Sequence, residues 1–108
     1  MLDSENARAL RLPEHDGLFY GGAWHAPIEG TYDDVSSPVN GKRLGRVARG
    51  SPADVDAAVR SAREGFVTWC DTLPLERARI LRSVGAILRA HAEELALLDA
   101  IDCGNPVA

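Results

Sequence analysis

The chain has 108 residues, 45% of them hydrophobic and 26% charged, with 16 acidic against 12 basic side chains and a formal charge of −4. That is the length of one globular unit able to bury roughly 65% of the surface its unfolded form exposes, and the composition is too apolar for intrinsic disorder. Acids and bases interleave along the chain, so there is no concentrated positive face for a phosphate backbone, and nucleic acid is not expected as a partner.

No apolar run approaches the ~20 residues needed to cross a bilayer, so no membrane association is expected. The opening MLDSENARALRLPEHDG carries early acids and lacks the apolar core of a signal peptide, which makes a cytoplasmic location the expectation. Cys70 and Cys103 are too few and too far apart for a metal-ligand spacing or a disulfide framework. Neither lies in a setting that activates a thiol, so neither is given a catalytic role.

Residues 1–16 carry scattered charges, with Ala7, Leu10 and Leu12 as a weak apolar stripe broken by Pro13, and read as an N-terminal arm or one short helix. Leu18-Phe19-Tyr20 and Ala23-Trp24-His25 are β-prone runs separated by Gly21-Gly22, a pair that supplies the positive φ of a tight hairpin turn. Thr31 to Val35 alternates in polarity, and Arg43 to Ala48 alternates again with Leu44 and Val47 as expected inward residues. Between them, Ser-Ser-Pro-Val-Asn-Gly-Lys is dense in turn chemistry and predicts a second hairpin. His15 and His25 fall at turns or strand edges with no companion at ligand spacing, so each is expected to be solvated or locally hydrogen-bonded.

Ser51-Pro52-Ala53-Asp54 is the clearest local signal: a Ser N-cap, a proline at the first helical position and an acid three residues after the cap start a helix at Pro52. Val55, Ala58, Val59, Ala62, Phe66 and Trp69 recur at spacings of three and four, which predicts one buried face ending in two aromatics. Pro74 ends this helix and opens the next, with Glu76 near its positive end. Ala78, Leu81, Val84, Leu88, His91 or Ala92, Leu95 and Leu98 continue an apolar stripe that Ile80 and Ile87 widen, and His91 reads as half-buried. One helix of roughly 28 residues, on the order of 40 Å, is long for a lone domain of this size. Either it bends near Ala90 to Glu93, or it spans something larger. Gly104, suited to the left-handed position after a helix, and Pro106, which cannot continue one, specify its end.

These elements describe a small α/β unit of two β-hairpins and two long amphipathic helices. They contain no glycine-rich phosphate loop after a strand, no Ser/His/Asp set, no HExxH and no CxxC. Residue patterns alone therefore show no active site, and no catalytic or cofactor-binding residue is assigned.

The order of the motifs is informative beyond their local structure. LFYGGAWH, SSPVNGK, GSPADVDAAVRSAREGFVTW, LPLERARILRS and the closing LDAIDCGNP resemble, in that order and spacing, the N-terminal portion of the NAD(P)-dependent aldehyde dehydrogenase superfamily. The family patterns are an IgGxW hairpin, an NPxTGe turn, a DvdxAvxaAxxAfxxW helix, an eRaxiL helix start and an lDtGKP helix end. Ser37 stands where the turn usually has Asn, Asn40 where it often has Thr, and Asn105 where the last motif usually has Lys. Cys103 occupies a variable slot.

The resemblance implies that residues 17–108 are a partial N-terminal, cofactor-binding domain. It implies a parent subunit that oxidises an aldehyde to an acid with NAD or NADP, through a catalytic Cys and Glu on later motifs, together with homo-oligomerisation of that parent. The chain alone is expected to be inactive, with the remainder of the dehydrogenase subunit as its partner. The resemblance also implies one site: a monovalent cation, K+ or Na+, held by main-chain oxygens of Val35 and Ser36 and by Asp102. An acid at a helix C-terminus opposes the helix dipole, so Asp102 has a second possible role as a local capping or pairing group. A different class of function, a non-catalytic helical interaction or assembly module, is the alternative reading of the same apolar stripes.

Overall fold

The computed structural model describes residues 11–106; Met1 to Leu10 of the expected arm, with Ala7 and Leu10, and the last two residues lie outside it. The fold is α/β: strands β1 (Leu18–Tyr20), β2 (Ala23–His25), β3 (Tyr32–Ser36) and β4 (Arg43–Ala48) precede helices α1 (Pro52–Asp71), α2 (Pro74–Ala90) and α3 (Ala92–Cys103). The strands form two separate antiparallel pairs, β1 with β2 and β3 with β4.

In the first hairpin Leu18 pairs with His25 and Tyr20 with Ala23. Gly21 and Gly22 turn at φ of 62° and 77°, backbone that side-chain-bearing residues rarely adopt. Gly21 is also where the hairpin meets α1, because a Cβ there would lie 2.7 Å from Ser61 Oγ. His25 donates from Nε2 to the Tyr20 carbonyl oxygen at 3.0 Å and stacks on the Tyr20 ring at 3.8 Å, the local bonding expected of it. His15 stacks on Trp24 at 4.6 Å.

In the second hairpin Tyr32 pairs with Ala48 and Val35 with Gly45, and the register then slips so that Ser36 meets Arg43. Leu44 is the extra residue of this bulge, which interrupts the ladder at the Val35/Ser36 step. Leu44 is half-buried as expected, whereas Val47 is 47% exposed.

Helix α1 begins as the sequence predicts. The Asp54 N–H donates to Ser51 Oγ at 3.3 Å, and the Ser51 N–H donates to Asp54 Oδ2 at 2.9 Å. Asp54 also accepts from the Ile28 N–H at 3.0 Å, so one buried carboxylate holds both the helix start and the loop between the hairpins. The Ser51 hydroxyl is a third donor to the same carboxylate.

Two expectations about the helices are corrected. The single long helix is two, interrupted at His91 (φ −109°, ψ 16°), whose N–H is shared between the carbonyls of Ile87 and Leu88 at 3.2 Å each. The interruption lies inside the Ala90–Glu93 bend allowed by the length argument. No proline or glycine is present there, so the local sequence does not impose it. It resets the helical phase: α3 buries Leu97, Ala100 and Ile101, while Leu95 is 43% exposed and Leu98 half-buried. His91 itself is exposed, with Nδ1 3.2 Å from Glu94 Oε2.

The second correction concerns the α1 stripe, which is not buried in this chain: Val55, Val59, Phe66 and Trp69 are all exposed, Phe66 at 64%. Helix α2 has no buried residue, and Leu75, Leu81 and Ile87 stand open. Periodicity reports a face built to be covered, and nothing among the described residues covers it. Apart from Pro27 in the loop between the hairpins, the buried apolar residues among those described are Leu97, Ala100 and Ile101 of α3, placing the small core where that helix meets the second hairpin.

Candidate functional site

The turn between β3 and β4 is closed by its own backbone. The Ser37 N–H donates to the Lys42 carbonyl oxygen at 2.9 Å, and the Gly41 N–H donates to the Ser37 carbonyl oxygen at 2.8 Å. Asn40 accepts from the Lys42 N–H at 3.0 Å through Oδ1, the short-range bonding that makes Asn a turn residue. Gly41 has φ of 70°, as the Asn-Gly signal predicts.

This turn is tied to the end of α3 at two points. Ser37 Oγ, only 2% exposed, donates to the Ile101 carbonyl oxygen at 2.5 Å. Gly104 ends the helix at φ of 77°, its N–H donating to the Ala100 carbonyl oxygen at 2.9 Å, and lies so near the turn that a Cβ would stand 3.4 Å from Pro38 Cγ. The closing Gly and the turn Pro therefore pack on each other.

Beside this joint is a cavity of about 690 Å³, whose wall includes His15, Trp24, Val35, Leu44, Leu98 and Asp102. Of the three residues expected to hold a cation, Val35 and Asp102 both line this cavity. Ser36 is the neighbour of Val35 across the bulge; it is exposed and does not contribute to the wall. The donor chemistry suits a hard cation: a carboxylate, and carbonyls at a step where the strand ladder is interrupted.

The charges around the cavity sharpen this. Arg43 pairs with Asp34 at 2.9 Å, Arg46 with Asp16 at 2.6 Å and Arg49 with Asp33 at 2.6 Å, so the three hairpin arginines are engaged. The hydrogen bond to Asp16 is the main reason the Arg46 guanidinium is held above its ordinary pKa, with exposure to solvent keeping such pairs weak. Arg46 also lies 3.8 Å over the Tyr32 ring. Among the described residues no cationic side chain pairs with Asp102, whose one polar contact is the Cys103 thiol at 3.9 Å.

Among the described residues no group of three or more His, Cys, Asp or Glu could hold a metal ion, and no helix is long and apolar enough to cross a membrane. Cys70 and Cys103 are exposed, and their contacts are a carbonyl oxygen and carboxylates, none of which activates a thiol. Among the described residues the strands pair only antiparallel, and the first turn of α1 is capped by Ser51 and Asp54. The part played by Ser37 has no sequence signal, since its partner lies 64 residues away.

Comparison with known proteins places these elements. A profile of the aldehyde dehydrogenase family matches residues 24–108. The aldehyde dehydrogenase tropH of Talaromyces stipitatus is 43% identical over 97 residues, covering 90% of this chain and 19% of that protein. The NADP/NAD-dependent aldehyde dehydrogenase PuuC of Escherichia coli is 35% identical over 102 residues, covering 93% and 21%. Among solved structures, an aldehyde dehydrogenase from Bacillus cereus superposes with a TM-score of 0.83 at 30% identity, over 98% of this chain and 22% of that one. The P. syringae indole-3-acetaldehyde dehydrogenase AldA, in complex with NAD+, gives 0.81 at 35% identity over 88% and 20%. The chain spans about a fifth of the length of the curated relatives it matches. With ordered motifs, fold and both kinds of relative in agreement, the chain belongs to the aldehyde dehydrogenase family.

Proposed function

We propose that this chain is the N-terminal part of an NAD(P)-dependent aldehyde dehydrogenase subunit that oxidises an aldehyde to a carboxylic acid, and that it contributes packing and not chemistry. The observation that carries this reading is the set of apolar residues on α1 and α2, from Val55 to Leu88, left exposed in a chain whose family match covers residues 24–108. Burying one Leu or Phe side chain contributes about 1.5–3 kcal/mol, so a face with this many exposed apolar residues is costly unless something covers it. The remainder of the subunit is the partner of matching chemistry, and the parent assembles as a homo-oligomer.

The catalytic thiolate, the general base and the dinucleotide site belong to that remainder, which supplies hydride transfer to NAD or NADP. The residues of this chain hold the covering layer in place: Asp54 fixes the start of α1, and Ser37 and Gly104 fix the end of α3. Val35, Ser36 and Asp102 are proposed to hold a monovalent cation, K+ or Na+, that joins the second hairpin to α3. Supporting this are the cavity that Val35 and Asp102 both line, the interrupted ladder at Ser36 and the lack of a cationic partner for Asp102 among the described residues.

Incubating the purified chain with a panel of aldehydes and NAD+ or NADP+, and following absorbance of the reduced nicotinamide, tests the division of labour. No reduction is expected. Turnover that survives heat-killed and mock-purified controls would overturn the placement of the chemistry outside this chain.

A further inference from the structure

Helices α2 and α3 meet at a residue whose hydrogen bonds are still those of a helix. The His91 carbonyl oxygen accepts from the Leu95 N–H at 3.0 Å, and the His91 N–H reaches the Ile87 carbonyl oxygen at 3.2 Å, both bonds that an unbroken helix makes. The departure lies in the dihedrals of His91, φ −109° and ψ 16°, where a helix has about −63° and −42°. From Leu88 to Leu95 there is no Pro or Gly, and Leu, Arg, Ala and Glu around the one His are good helix formers. The contact of His91 with Glu94 spans three residues and fits an unbroken helix as well, so it does not account for the break.

What distinguishes the two helices is their anchoring. Helix α2 has no buried residue, whereas α3 is fixed along its second half. Leu97, Ala100 and Ile101 are buried, the Ile101 carbonyl oxygen accepts from Ser37 Oγ, and Gly104 packs against Pro38. At 3.6 residues per turn Leu97 lies about two and a half turns beyond Leu88, so on an unbroken helix this anchored face would be opposite the stripe of α2. Leu95 lies about two turns beyond Leu88 and Leu98 about four beyond Val84, so both would fall on the stripe. In the structure they are out of it, Leu95 exposed and Leu98 half-buried.

We propose that α2 and α3 are one helix held broken at His91 by the docking of α3 on the second hairpin, and that undocking joins them and adds Leu95 and Leu98 to the exposed apolar face of α2. The break is then a conformational device set from a distance. The rotation it needs is confined to one residue whose helical hydrogen bonds are already in place, and the length of the apolar face available to a partner depends on whether the second hairpin holds α3.

The test uses the full chain. Leu97→Glu keeps helix propensity and puts a charge into the docking face, while Ser37→Ala removes only the hydroxyl link and leaves the backbone bonds that close the turn. The chain has three His, so histidine labelled with 13C at the carbonyl gives three resonances, and the one lost in His91→Gln reports the break. Helix content is followed at 222 nm. The expected result is a downfield shift of the His91 carbonyl toward its helical position in Leu97→Glu with the helix signal retained, and a smaller shift in the same direction in Ser37→Ala. Adding Ala92→Pro to Leu97→Glu should reverse the shift, because proline removes the N–H at 92 and disfavours helical backbone at 91. If Leu97→Glu loses its helix signal altogether, Ser37→Ala decides alone. An unmoved His91 carbonyl in folded Leu97→Glu and Ser37→Ala would show that the break belongs to the local chain and overturn the proposal. So would an upfield shift accompanied by loss of the helix signal of the 12 residues of α3, since undocking would then unfold α3 and not join it to α2.

Discussion

Replacing Gly104 with alanine and replacing Gly65 with alanine are the same chemical change, and the structure assigns them opposite signs. Gly104 sits at φ of 77° in the left-handed region that ends α3, where an L side chain costs roughly 1–2 kcal/mol. The added Cβ would also stand 3.4 Å from Pro38 Cγ, tightening the joint between the helix end and the hairpin turn. Against this, alanine restricts the unfolded chain, which returns about 0.4–1 kcal/mol. The net expectation for Gly104→Ala is a loss of about 1 kcal/mol. Gly65 lies inside α1 with ordinary helical backbone and nothing within 4 Å of the position a Cβ would take, so Gly65→Ala gains about 0.5–1 kcal/mol. Urea denaturation followed by far-ultraviolet circular dichroism, at low micromolar concentration, should separate the two variants by about 2 kcal/mol around wild type. Equal shifts, or a stabilised Gly104→Ala, would refute the argument that this glycine is required by its backbone.

Ser51→Ala removes the cap of α1 and should cost about 1 kcal/mol in the same measurement, whereas Ser83→Ala, on the exposed face of α2, should stay within about 0.5 kcal/mol of wild type. Acid should destabilise the chain through Asp54. Its carboxyl is held below the ordinary range chiefly by the Ser51 N–H, against the opposing effect of burial, with the Ile28 N–H and the Ser51 hydroxyl adding to the lowering. A lowered folded-state pKa means the unfolded chain takes up the proton first. The contribution is thus fully present above ~3.9 and is lost as pH falls through the folded value. Asp54→Asn should flatten that part of the stability–pH curve, and an unchanged curve would remove Asp54 as its source. The open face of α1 and α2 should make the isolated chain self-associate in analytical ultracentrifugation, and the pair Phe66→Glu and Leu81→Glu should reduce it. A monodisperse wild-type monomer that melts cooperatively would contradict this.

Legibility follows sequence distance. The cap of α1 by Ser51 and Asp54, the Gly21-Gly22 turn and the Gly104 stop each rest on residues within a few positions of one another, and each is present as the sequence predicts. The break at His91 shows in the sequence only as excess length, because the residues there are ordinary helix formers and the phase of α3 is set by its docking on the second hairpin. Phe66 and Trp69 stand exposed because an apolar period identifies a face without identifying its cover. Val35 and Asp102 line one cavity, while the Ser37 hydroxyl that joins the two segments cannot be found from a lone Ser in a turn.

The most direct test of the proposed function is what the native polypeptide carrying this sequence does. Captured with an antibody raised against residues 11–106 and assayed for aldehyde-dependent reduction of NAD+ or NADP+, it should reduce a nicotinamide cofactor with at least one aldehyde of a broad panel. A captured polypeptide that reduces neither cofactor with any of them would contradict the proposed function and favour a non-catalytic assembly module.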